Sequence, residues 1–91
     1  MLIVNQDKNS IINLKTINFI NIESSENEFD IEINYGDDNW ADIGTYDNYE
    51  RAQEILVEIT QEYKKVLRVD EQNNRQPKFY STPKVYFMPE K

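Results

Sequence analysis

From Glu28 to Tyr35 the chain alternates without a break: Phe29, Ile31, Ile33 and Tyr35 are apolar, whereas Glu28, Asp30, Glu32 and Asn34 are polar. A period of two predicts a strand with one buried and one solvated face. Gly36-Asp37-Asp38-Asn39 supplies turn chemistry, and Trp40 to Tyr46 reads as the returning strand of a hairpin. Beyond it the period lengthens. Ala52, Ile55, Leu56, Ile59, Tyr63, Val66 and Leu67 recur at i, i+3, i+4 spacing, with Arg51, Gln53, Glu54, Glu58, Gln61, Glu62 and Lys65 between them. This spacing predicts an amphipathic helix from about Asn48 to Arg68. Asp47 is the expected N-cap, with Glu50 three residues on completing a capping box.

Upstream, Leu2 to Asn5, Ile11 to Leu14 and Ile17 to Glu23 are short β-branched runs separated by polar turns, the pattern of an antiparallel meander. Downstream, residues 70–83 begin Asp70-Glu71-Gln72-Asn73-Asn74-Arg75-Gln76-Pro77 and read as an exposed loop. Lys84 to Met88, bounded by Pro83 and Pro89, reads as a short final strand at a sheet edge. The expected fold is a single α+β domain over residues 1–91: a meander of about five strands, one helix packed across a sheet face, and a C-terminal strand.

Composition narrows the function. The 91 residues include no cysteine and no histidine, and the formal net charge at pH 7 is −7. A disulfide framework and thiolate metal sites are excluded, and catalysis is reduced to carboxylate pairs or a serine–lysine pair. The expectation is a binding protein with no enzymatic activity and no cofactor. Met1-Leu2-Ile3-Val4 runs at once into Asn5-Gln6-Asp7-Lys8, which is not the apolar stretch of a secretory leader, so a cytoplasmic location without a membrane partner is expected. Residues 1–49 carry net −8, residues 50–69 are neutral and residues 70–91 carry +1. A field of that sign disfavours direct binding to nucleic acid and favours a basic partner.

The segments Met1-Leu2-Ile3-Val4-Asn5-Gln6-Asp7-Lys8, Gly44-Thr45-Tyr46-Asp47-Asn48-Tyr49-Glu50-Arg51-Ala52-Gln53-Glu54-Ile55-Leu56 and Val85-Tyr86-Phe87-Met88-Pro89-Glu90 together resemble small uncharacterised proteins of phages and prophages of low-GC bacteria. The resemblance implies a phage accessory gene, a class that includes anti-CRISPR proteins and other inhibitors of host defence. It carries no assigned functional residues.

Two acidic rows are the candidate partner-binding residues. Glu50, Glu54, Glu58 and Glu62 follow one another at i+4 on the helix, an arrangement that costs a few tenths of a kcal/mol per like-charged pair. Glu28, Asp30 and Glu32 form a second row at about 7 Å spacing along a strand. Either row can meet an arginine-rich groove, in imitation of a nucleic-acid strand. The plainer readings are a solvated helix face and a charge row that discourages edge pairing. Asp37 and Asp38 suit a turn and lack calcium-loop spacing, so no metal site is expected.

The first functional reading is therefore a phage-encoded, anti-CRISPR-like inhibitor that sets an acidic surface against the basic groove of a host nucleic-acid-binding effector. A second is a homo-oligomeric sponge for a nucleotide immune signal, in which Tyr35, Trp40, Tyr46, Tyr49, Phe79, Tyr80, Tyr86 and Phe87 would stack on bases, with Arg51, Arg68 and Arg75 for phosphates. A third is a non-catalytic structural or regulatory module that forms a homodimer through the aromatic C-terminal strand.

Overall fold

The computed structural model describes the backbone of residues 1–72 and 84–91, and the side chains of residues 1–65 and 84–91. The elements are β1 (Leu2–Val4), β2 (Ile11–Asn13), a 3-10 turn (Leu14–Thr16), β3 (Phe19–Ser25), β4 (Glu28–Asn34), β5 (Trp40–Tyr46), α1 (Tyr49–Gln72) and β6 (Val85–Phe87). The class is α+β, as the alternation and helix periodicity require. The sheet differs from the expected five-strand meander. There are two three-stranded sheets, ordered β2-β1-β6 and β3-β4-β5.

The break falls after β2. Asn13 Oδ1 accepts from the Lys15 amide at 3.0 Å and caps the 3-10 turn, which turns the chain off the first sheet before β3 begins. In the first sheet β1 pairs antiparallel with β2 and parallel with β6, with Ile3 opposite both Ile12 and Tyr86. Among the described strands the final one lies at an edge, and its neighbour is the first strand of the chain.

In the second sheet β3, β4 and β5 form a true meander. Glu26 (φ 52°) sits in the two-residue connection between β3 and β4, and Gly36 (φ 135°) and Asp37 (φ 47°) open the next. Asn34, buried at the end of β4, holds that turn: its Nδ2 donates to the Asp37 carbonyl at 3.1 Å, and its Oδ1 accepts from Asn18 Nδ2 at 3.0 Å. The register of β4 and β5 slips by one residue between Ile31 and Glu32, where Ile43 is the extra residue on β5.

α1 starts one residue later than the expected cap. Asn48 Oδ1 accepts from the Arg51 amide at 2.7 Å, so Asn48 is the N-cap, and Glu50 does not stand three residues beyond it. The helix also runs past Arg68 to Gln72, taking Asp70, Glu71 and Gln72 out of the expected loop. No Pro or Gly lies between Asp47 and Gln76 to stop it sooner. The rest of that loop, residues 73–83, lies outside the described residues.

Ala52, Ile55 and Ile59 point into a core made with Ile31 and Ile33 of β4, Ile43 and Tyr46 of β5, and Met1, Ile3 and Met88 of the first sheet. Ile3, Ile31 and Ile55 are fully enclosed, each contributing about 1.5–3 kcal/mol from burial. The two sheets are stitched by Gln6. Its amide donates to the Ile43 carbonyl at 2.8 Å, its Oε1 accepts from the Thr45 amide at 2.7 Å, and its Nε2 donates to the Thr45 and Glu90 carbonyls.

Candidate functional site

Because the inward residues of β4 (Phe29, Ile31, Ile33) pack toward α1, the alternate residues Glu28, Asp30 and Glu32 stand on the far side of the second sheet. Register brings neighbours to them from both flanking strands. Glu23 of β3 and Thr45 of β5 flank Asp30, while Asn21 and Asp42 flank Glu32. The result is a patch of four carboxylates, Glu23, Asp30, Glu32 and Asp42, with Glu28 beyond it toward the β3–β4 turn. At the other end the row Phe19–Asn34–Trp40 closes the face, with the exposed Phe19 and Trp40 rings edge-to-face at 5.0 Å.

Among the described residues no lysine or arginine pairs with any carboxylate of this patch. Asp30 is partly satisfied by the Thr45 hydroxyl, which donates to its Oδ1 at 2.7 Å. Burial, then the charges of Glu23, Asp42 and Asp30, raises the pKa of Glu32 above the usual carboxylate range. Burial and then Asp30 do the same to Asp42. Mutual repulsion is therefore left standing on this face.

The helix row is in a different condition. Glu50 and Glu54 are exposed, and Glu54 pairs with Arg51 at 3.1 Å. Glu58 is half-buried and accepts from the Tyr86 hydroxyl at 3.3 Å. Glu62 pairs with Lys84, and with Lys65 at 3.1 Å; hydrogen bonds from Lys84 and then Lys65 lower its pKa. Three of the four ridge carboxylates thus have internal partners. The helix and strand rows also lie on opposite sides of the second sheet, so they do not merge into one continuous surface.

Glu23, Asp42 and Phe19 join the site although sequence reasoning did not select them, and Trp40, read from the sequence as a base-stacking ring, stands beside the acidic patch instead. The strand row at 28, 30 and 32 was visible in the alternation. Its cross-strand neighbours follow only from the register of β3 and β5 against β4.

Among the described residues the aromatic side chains do not gather into one pocket. Tyr46 and Tyr86 point inward, Tyr49 meets Phe29 at 5.9 Å, Phe87 is exposed on the first sheet, and Phe79 and Tyr80 lie outside the described residues. Tyr46 donates to the Pro89 carbonyl at 2.7 Å, and burial pushes its phenol up to about 12. A cleft of about 340 Å³ lies between the β2 region and the end of the second sheet, with Ser10, Ile11, Thr16, Tyr35 and Ile43 on its walls and no lysine or arginine among its lining residues. That lining does not suit a phosphate.

Among the described residues no group of three or more His, Cys, Asp or Glu side chains is placed to hold a metal ion, and no helix is long and apolar enough to cross a membrane. Comparison of the chain with protein-family models, curated proteins and solved structures finds no match, so the functional argument rests on the geometry of its surfaces.

Proposed function

We propose that this protein acts by binding, and that its working surface is the solvent face of β3-β4-β5, with Glu23, Asp30, Glu32 and Asp42 as the acidic centre and Phe19 and Trp40 as an apolar anchor. The observation that carries the reading is the absence of a described cation beside four clustered carboxylates, two of them held above their usual range by burial and by one another. A basic partner relieves that repulsion on contact, so complex formation gains both attraction and the removal of internal strain. Exposed aromatic residues beside a charged patch supply the central contact area around which interfaces concentrate their energy.

The partner class that fits is a protein with an arginine-rich groove, such as the nucleic-acid site of a host effector. Together with the resemblance to phage and prophage proteins, this supports an inhibitor of a bacterial defence system that works in the host cytoplasm and makes and breaks no bonds. Glu50, Glu54, Glu58 and Glu62 rank below the sheet face on this reading, because most of that ridge is already compensated.

The test compares two charge reversals of similar size. Glu32→Lys with Asp42→Lys should abolish salt-sensitive binding of an arginine-rich peptide, followed by calorimetry, and should abolish protection of phage on a defended host. Glu50→Lys with Glu54→Lys should leave both nearly unchanged. Equal loss in both pairs, or loss confined to the helix pair, would overturn the choice of surface.

A further inference from the structure

The cleft between the two sheets, about 340 Å³, has about twice the roughly 150 Å³ that holds a benzene ring. All of its lining residues fall between Asn5 and Ile43. It lies on the β2 side of β1, away from β6, where the chain returns from α1. One wall is fixed by local hydrogen bonds. Asn5 Oδ1 accepts from the amides of Asn9 and Ser10 at 3.0 Å, which closes the turn between β1 and β2. The Thr16 hydroxyl donates to the Asn13 carbonyl at 2.8 Å, which closes the 3-10 turn. That wall keeps its shape without a ligand.

The opposite wall comes from β4 and β5. Ile33, Ala41 and Ile43 make it apolar, and Asp42 is the only charged residue on the whole lining. Two large side chains of the cleft stand open to water: Ile11 is 69% and Tyr35 52% exposed. Apolar surface gathered around a hollow marks a place where a partner sits. Among the described residues Asp42 pairs with no cation.

We propose that this cleft receives an arginine side chain of the basic partner, with its guanidinium on the Asp42 carboxylate and the Tyr35 ring and its methylene stem along Ile11, Ile17 and Ala41. The inference rests on the acidic working face proposed above, of which Asp42 is also a member. Asp42 stands opposite Glu32 in that patch and at the same time lines the cleft. A basic segment lying across the sheet face therefore reaches the cleft at β5 and can set one side chain into it.

Three features select arginine. A lone carboxylate suits one positive head, and no lining lysine or arginine repels it. An aromatic ring on the same lining suits a planar guanidinium, which stacks and forks, better than a compact and strongly hydrated ammonium. Aliphatic walls suit a long methylene stem that keeps its charge at the mouth.

The probe is an arginine-rich peptide, compared by calorimetry with the same peptide in which every arginine is lysine. The full chain should bind the arginine peptide about tenfold tighter or more, and the amide signals of Ile17 and Ala41 should move as it binds. Ser10→Phe narrows the cleft from an exposed position and leaves every carboxylate in place. It should bring the arginine peptide down to the level of the lysine peptide; Thr16→Phe is the second obstruction should the first fold poorly. Glu32→Lys, outside the cleft, should weaken both peptides and keep their ratio. Equal affinity of the full chain for the two peptides, or a preference that survives both obstructions, would overturn the cleft and leave the acidic face standing. No binding of either peptide would overturn the face and the cleft together. A parent that sediments as a dimer and becomes a single chain in Thr16→Phe would assign the cleft to a second copy and overturn the proposal as well.

Discussion

Glu32 and Asp42 are direct cross-strand partners, two carboxylates facing each other across β4 and β5 on the solvent side of the sheet. Like charges so placed destabilise a strand pair, and here burial and Asp30 add to the cost. Glu32→Gln should therefore stabilise the fold at neutral pH by about 0.2–1 kcal/mol while weakening a basic partner. A carboxylate whose folded pKa is raised costs stability in full above that folded value and nothing below its unfolded value. The advantage of the variant, followed by urea denaturation at several pH values, should shrink as the pH falls through the raised folded pKa. A variant less stable than the parent at neutral pH would remove this account of the face.

Glu62 has the opposite sign. Lys84 and Lys65 lower its folded pKa, so its contribution is present above the unfolded value and is lost as the pH falls through the folded one. Glu62→Gln should lower the melting temperature at neutral pH, and the deficit should fade in acid. An equal deficit at all pH values would mean that packing rather than charge is at stake.

The start of α1 separates two adjacent candidates for the cap. Asn48→Ala should cost about 1 kcal/mol, because the Arg51 amide loses its acceptor. Asp47→Ala, one residue earlier on an exposed site, should stay within about 0.5 kcal/mol. Denaturation of the two variants side by side decides the matter, and the reverse order would restore Asp47 as the cap.

Gly44 lies under the ring of Tyr46. A Cβ there would come within 2.8 Å of Tyr46 Cε2 and of its hydroxyl oxygen, and the ring cannot swing away because it is buried and tied to Pro89. Gly44→Ala should destabilise by about 1–3 kcal/mol through overpacking, measurable as a lower urea midpoint. Gly36→Ala, which meets nothing within 4 Å, would suffer only from its φ of 135°. Neutral behaviour of Gly44→Ala would show that the ring has more freedom than its contacts imply.

Local pattern made some elements legible and left others hidden. The alternation over Phe29, Ile31 and Ile33 identified β4 and its buried face, and Trp40 to Tyr46 coincides with β5, because a strand with one wet side writes itself into every second residue. Ala52, Ile55 and Ile59 identified the packing stripe of α1 for the same reason. The split into two sheets was not legible. Nothing near Leu2–Val4 announces that its second partner is Val85–Phe87, since parallel pairing between distant segments leaves no local period. The acidic strand row was readable, but the contribution of Glu23 and Asp42 depended on the pairing of β3 and β5 with β4, which no local pattern states. Lys84, which compensates Glu62, comes from the same distant segment and was equally hidden.

The pairing of β1 with β6 also sets a timetable. During synthesis Ile3 leaves the ribosome long before Tyr86, its partner across the strand, so the first sheet has to wait with an open side while the β3-β4-β5 hairpins and α1 can already collapse. Until the last strand arrives, the nascent chain exposes the apolar edge of β1, and that interval is when a trapping chaperone or a neighbouring nascent chain has its opportunity.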